Sequence, residues 1–140
     1  MGVSVYPIVE DPTVEWAGFQ SAGKPLAKAV SQLDLIAKKN RVQGLMEFFE
    51  ETREQYISEV LGGDPEDPST YDESKTPKEK WFDPQEGLKT IRFFAKIMEE
   101  NPGSVRDADP ERIVKDIQEF DRILSHAASI GMRWHLGMSF

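Results

Sequence analysis

The chain has 140 residues, of which 39% are apolar and 30% charged, with eight Phe, three Trp and a formal charge of −8. That length and apolar content suit a single globular domain with its own core and exclude a disordered chain. The lack of any cysteine excludes disulfides, thiolate zinc sites and a cysteine nucleophile.

No apolar run nears the ~20 residues that a bilayer-spanning helix needs, and the opening MGVSVYPIVE lacks the basic flank and long apolar stretch of a signal peptide. A cytoplasmic protein of bacterial type with no membrane partner is therefore expected. The charge is unevenly spread: residues 1–40 are neutral, residues 41–80 carry −6 and residues 81–140 carry −2. With no basic patch to meet a phosphate backbone, nucleic acid is not an expected partner, whereas a basic protein partner is.

Residues 3–9 alternate, with Val3, Val5 and Val9 on one face and Ser4, Tyr6 and Ile8 on the other, and predict a first strand. Pro7 cannot donate to a ladder and argues either for an edge position or for a strand that ends early. Residues 10–23, with Pro12, Gly18 and Gly23, read as a loop in which 13–19 could add a short strand. The spacing of Leu26, Ala29, Val30, Leu33, Ile36 and Ala37 predicts a helix over 24–40, with Lys38 and Lys39 suiting its C-terminal dipole and Asn40 its cap. A second helix is predicted over 44–61, which could break near Thr52 and is ended by Gly62 and Gly63. Residues 64–80, with three prolines, read as an acidic, mobile loop.

Residues 84–101 carry the most complete helix signal. Asp83 supplies a cap, Pro84 occupies the first helical position and Glu86 stands where a capping box needs it. Leu88, Ile91, Phe94, Ala95 and Met98 form a stripe widened by Phe93 and Ile97, so other elements must cover this helix. Asp109 and Pro110 repeat the cap and open a fourth helix with Ile113, Ile117, Phe120, Leu124, Ala127 and Ala128 on its stripe and Gly131 at its end. Residues 132–140 alternate Met132, Trp134, Leu136, Met138 and Phe140 with Arg133, His135, Gly137 and Ser139, and predict a last strand. The expected fold is α+β, with about four helices packed on a small sheet that includes both terminal strands.

Two surfaces could carry function. If the terminal strands pair, Tyr6, Arg133 and His135 share a polar face whose phenol, cation and imidazole suit binding a small anion or acid-base chemistry. Glu47, Glu50, Glu51 and Glu54 would run along the second helix at i,i+3 and i,i+4 separations, a row of like charge that a cationic partner would offset. His126 lies off the stripe of its helix and is expected to be exposed. With two histidines and no paired-ligand spacing, no metal and no cofactor is expected, and the acids of 64–80 lack the spacing of a calcium loop. Trp81 and Phe82 are expected to pack over the helix entrance. No phosphate loop, nucleophile elbow or triad spacing is present, so no catalytic residue is nominated and the sequence leaves open whether the protein is an enzyme.

Met1-Gly2, a capped helix entered through a Trp and containing Gly87-Leu88, and a last helix running through Ala127-Ala128 and Gly131 into a terminal strand resemble the uncharacterised YfbM-like bacterial proteins. The resemblance implies an α+β fold and a family with no established activity, so no site residue is carried over. The leading expectation is a non-enzymatic protein-binding domain of immunity or accessory type with an acidic surface. The alternative is a small-molecule or anion binder, or an enzyme, using the polar face of the last strand.

Overall fold

The computed structural model describes residues 2–11, 13–76 and 78–140; Met1 of the opening dipeptide, Pro12 of the first loop and Pro77 of the acidic stretch lie outside them. The chain separates into two compact units, Met1–Phe49 with Trp81–Phe140, and Glu50–Lys80.

The larger unit is α+β. Strand β1 (Ser4–Val9) pairs antiparallel with β2 (Trp134–Ser139), and the helices α1 (Lys24–Lys39), α3 (Pro84–Glu100) and α4 (Pro110–Ile130) pack with them, while α2 (Arg53–Glu59) belongs to the smaller unit. In the register Tyr6 faces Gly137, Ile8 faces His135 and Val9 faces Trp134. Val5 N–H donates to Gly23 C=O (3.1 Å), so Val5 and, two residues on, Pro7 turn their backbones away from β2. The donor that proline lacks thus falls on the outer edge, where a sheet can do without it.

Each helix start has an identifiable cause. Asp83 accepts from Gln85 N–H (2.8 Å) and Asp109 from Glu111 N–H (3.1 Å), with Pro84 and Pro110 in the first helical positions. The capping box expected of Glu86 does not form; Glu86 pairs with Lys89 at 3.3 Å instead. Helix α1 begins at Gly23 (φ 72°), which has no side chain to cap with, and the cap arrives from α4: Asp116 accepts from the Ser21 hydroxyl, Gly23 N–H (3.2 Å) and Leu26 N–H (3.0 Å). Gly131 (φ 70°) closes α4, with Met132 N–H reaching Ala127 C=O at 2.9 Å.

The predicted second helix is not continuous. Leu45–Phe48 forms a 3-10 turn, residues 49–52 lie outside any helix with Phe49 and Thr52 extended, and α2 starts only after Thr52, which caps Gln55 N–H (3.1 Å) in a capping box. The short strand considered over 13–19 is a 3-10 turn, Glu15–Ala17. The stretch 64–80 is built from turns, Pro68–Thr70 and Glu73–Lys75, each opened by an aspartate that accepts from the backbone two residues on.

The core of the larger unit is centred on Trp134, fully buried between rings of Phe48 (5.0 Å) and Phe120 (6.4 Å), with Leu26, Leu33, Ile91, Phe94, Ile113 and Leu124 around it. Gly87 is part of that arrangement. A Cβ there would stand 2.4 Å from the indole Cζ2, so only glycine lets α3 approach the ring.

Candidate functional site

The polar face of the sheet is not the open surface that alternation suggests. Tyr6 and His135 do share it by register, but His135 is 0% exposed. Its ring lies 4.7 Å from Trp81, and its Nδ1 is 3.0 Å from Leu136 O. Trp81 is held there because the next residue adds to β2: Phe82 N–H donates to Trp134 C=O (2.7 Å), Trp134 N–H returns to Phe82 C=O (3.0 Å), and the Phe82 ring meets Phe48 edge-on at 5.3 Å. Of the pair expected to pack over the helix entrance, Phe82 thus also forms an isolated antiparallel bridge to Trp134. Gly137 is covered too, since a Cβ on it would meet Tyr6 Cε2 at 2.7 Å and Ile8 Cδ1 at 2.5 Å.

Arg133 sits at the solvent end of β2, where Glu10 engages it. Its Nη2 is 2.9 Å from Glu10 Oε2, its Nε 3.2 Å from Oε1, and its backbone N–H donates to the same Oε1 at 2.8 Å. These hydrogen bonds hold the Glu10 carboxyl below the usual carboxylate range and raise the guanidinium. Tyr6, Arg133 and His135 are therefore on one face, but the imidazole is enclosed and the cation is already neutralised.

The row of glutamates is also redistributed, because the helix that would align it is interrupted. Glu47 lies in the 3-10 turn and accepts from Gly44 N–H at 2.7 Å; Glu50 and Glu51 fall in the break; Glu54 is in the first turn of α2. Only the last three belong to the smaller unit, Glu50–Lys80. That unit holds ten carboxylates against four cations, a net −6, leaving −2 for all other residues.

Within the smaller unit, half the acids have structural work. Arg53 is bound by both oxygens of Glu73 (2.6 and 2.5 Å) and by the Tyr71 hydroxyl (3.0 Å), which raises its pKa and lowers that of Glu73. Asp67 and Asp72 accept from the hydroxyls and amides of Ser69 and Ser74, which lowers both carboxyls. Asp64 accepts from Glu66 N–H (3.0 Å) and Glu79 from Arg53 N–H (2.8 Å). Among the described residues, Glu50, Glu51, Glu54, Glu59 and Glu66 have no such side-chain partner.

No group of three metal-ligating side chains occurs among the described residues. His126 is exposed, as its helical angle predicts, but stacks on Trp16 at 4.2 Å and 11°. Two grooves open on the larger unit. One, of about 640 Å³, sets Lys24, Lys28, Arg112 and Lys115 against Asp107, Asp109 and Asp116. The other, of about 560 Å³, lies along α3 and residues 41–43.

The sequence reading missed Asp116, whose only signal is a charge between the stripe residues Ile113 and Ile117 and which caps another helix. The groove residues gave no signal, being surface positions drawn from two distant segments. No protein-family model, curated protein or solved structure matches this chain. No helix among the described residues is long and apolar enough to cross a membrane.

Proposed function

We propose that this is a cytoplasmic protein-binding domain of immunity or accessory type, related to the YfbM-like proteins, whose acidic unit Glu50–Lys80 meets a basic protein partner. One observation supports the reading: net charge follows the division of the chain, with −6 in that unit, and five of its carboxylates have no internal role. Unused like charges on one short unit repel each other and cost stability, and a cationic surface offsets that cost while steering association. The surface differs from the helical row expected from sequence, because Glu47 caps its own turn and leaves Glu50, Glu51 and Glu54 as the testable set.

The test compares the wild-type chain with Glu50→Lys, Glu51→Lys and Glu54→Lys combined, and with the same sites changed to Gln, as baits in a native lysate with bound proteins identified by mass spectrometry. A basic protein retained by the wild type should be reduced by the Gln variant, lost by the Lys variant, and lost by the wild type as salt shortens the screening length from about 8 Å to about 3 Å. Capture that is equal for all three baits and insensitive to salt overturns the proposal. The alternative site at Tyr6, Arg133 and His135 is not favoured, because the imidazole is enclosed beneath Trp81.

A further inference from the structure

The groove along α3 reverses the charge of the molecule around it. In a chain of net −8, its lining brings together Arg41, Lys89, Arg92 and Lys96 with one carboxylate, Glu86. Arg92 is tied to Asp121 (3.1 Å) and Ser125 (3.2 Å), and Lys89 to Glu86 (3.3 Å). Arg41 and Lys96 form no ion pair among the described residues. The groove is apolar as well as basic, since Val42 and Phe93 line it and both remain half-exposed. Phe93 is the residue that widens the α3 stripe beyond what the neighbouring elements cover. The wall is pinned by Thr90, whose hydroxyl donates to Gln43 C=O at 2.7 Å.

Arg41 adds an independent observation. It occupies the left-handed position after α1 (φ 59°), with its N–H on Lys38 C=O (3.2 Å) and Val42 N–H on Ala37 C=O (2.8 Å). This is the helix exit at which glycine or asparagine is the usual residue, so an arginine there carries a conformational cost. A cation after a helix C-terminus offsets part of that cost through the dipole, but Lys38 and Lys39 already supply charge there. The extra guanidinium instead lines the groove.

We propose that this groove binds a small organic anion in which an oxyanion is joined to a flat ring: Arg41 and Lys96 hold the oxyanion, and the ring lies on Phe93. The volume, about 560 Å³, is that of a small-molecule site. A guanidinium suits either a phosphate or a carboxylate, so the shared chemistry defines the class and the ligand arms separate the two sources. All of these residues belong to the larger unit, and the site does not depend on the partner reading above.

Titration calorimetry of the full chain provides the test, with adenosine 5′-monophosphate and indole-3-acetate as the ring-bearing anions and, as controls free of an aromatic ring, ribose 5-phosphate and inorganic phosphate for the first and acetate for the second. Saturable binding of one ring-bearing anion is expected, at least about tenfold tighter than its control, because the aromatic contact contributes at that level. Arg41→Gly and Lys96→Gln should each weaken it about tenfold or more, and Phe93→Leu should remove the advantage of the ring. Arg41→Gly places the preferred residue in the left-handed position, so its thermal midpoint should hold or rise while binding falls. Absence of binding by both ring-bearing anions, equal affinity for phosphate and adenosine 5′-monophosphate, or binding unchanged in Arg41→Gly and Lys96→Gln each overturns the proposal.

Discussion

Gly87 sets two physical effects against each other. Within a helix, replacing glycine by alanine gains about 1 kcal/mol of propensity. Here the new methyl would lie 2.4 Å from one indole carbon of Trp134 and 2.6 Å from another, inside a site where the ring is 0% exposed and rigid. Overfilling a packed core costs about 1–3 kcal/mol, and with the propensity gain set against it Gly87→Ala is expected to destabilise the larger unit by up to roughly 2 kcal/mol net. Urea unfolding followed by tryptophan fluorescence measures this; an unchanged or raised midpoint would show that α3 can move off the indole at little cost. The sequence marks Gly87 as odd, an unusual residue at the staple position, but the reason lies in β2, some 47 positions away. Asp116 has the same character: its charge on a buried stripe is visible in sequence, while the amides of Gly23 and Leu26 that it satisfies become visible only when α4 meets α1.

At the scale of elements, the strands and helices were readable because each has a local cause: alternation for β1 and β2, Asp-Pro caps for α3 and α4, a glycine exit for α4. What alternation could not show is that Phe82 would hydrogen-bond along β2 and bring Trp81 over His135, turning an apparently solvated face into a covered one. At one end of the same strand pair, Glu10 and Arg133 join β1 to β2, and their sign with pH follows from the lowered carboxyl of Glu10. A depressed carboxyl contributes stability that is complete above its ordinary value of about 4.3 and is lost as pH falls through the lower folded value. With Glu10 34% and Arg133 57% exposed, solvent screening limits the pair to about 0.2–1 kcal/mol. The difference in stability between wild type and Glu10→Gln should therefore be level near neutrality and shrink toward zero as pH falls below the ordinary carboxylate value of about 4.3. Comparing the two proteins is necessary because Asp34, raised by burial against the amides of Leu45 and Met46 that oppose the shift, gives a contribution of the opposite sign common to both. A difference that persists unchanged at the acid end would mean that the hydrogen-bond geometry of Glu10, and not its charge, holds the strand ends together.

The whole molecule divides its stabilising contacts as unevenly as its charge. The larger unit places 22 hydrophobic residues in one buried cluster that joins α1, α3, α4 and the sheet, whereas Ile57 is the only buried residue among the described residues of Glu50–Lys80. Charge compounds the asymmetry, since ten carboxylates confined to 31 residues repel one another more strongly as ionic strength falls. Local opening costs least where few apolar contacts are broken, so backbone amides of α2 and the turns after it should exchange with solvent through low-energy opening, while amides in the middle of α3 and α4 should exchange only through global unfolding. Native-state hydrogen exchange over a denaturant series distinguishes the two: α3 and α4 amides should converge on the global unfolding free energy, and α2 amides should lie well below it with little denaturant dependence. Raising salt should narrow the gap by protecting α2 selectively, because screening relieves repulsion that the larger unit scarcely experiences. If α2 amides are as protected as those of α4 at low salt, the acidic unit is held by more than its own contacts, and the charge repulsion that makes a cationic partner favourable would have lost its physical basis.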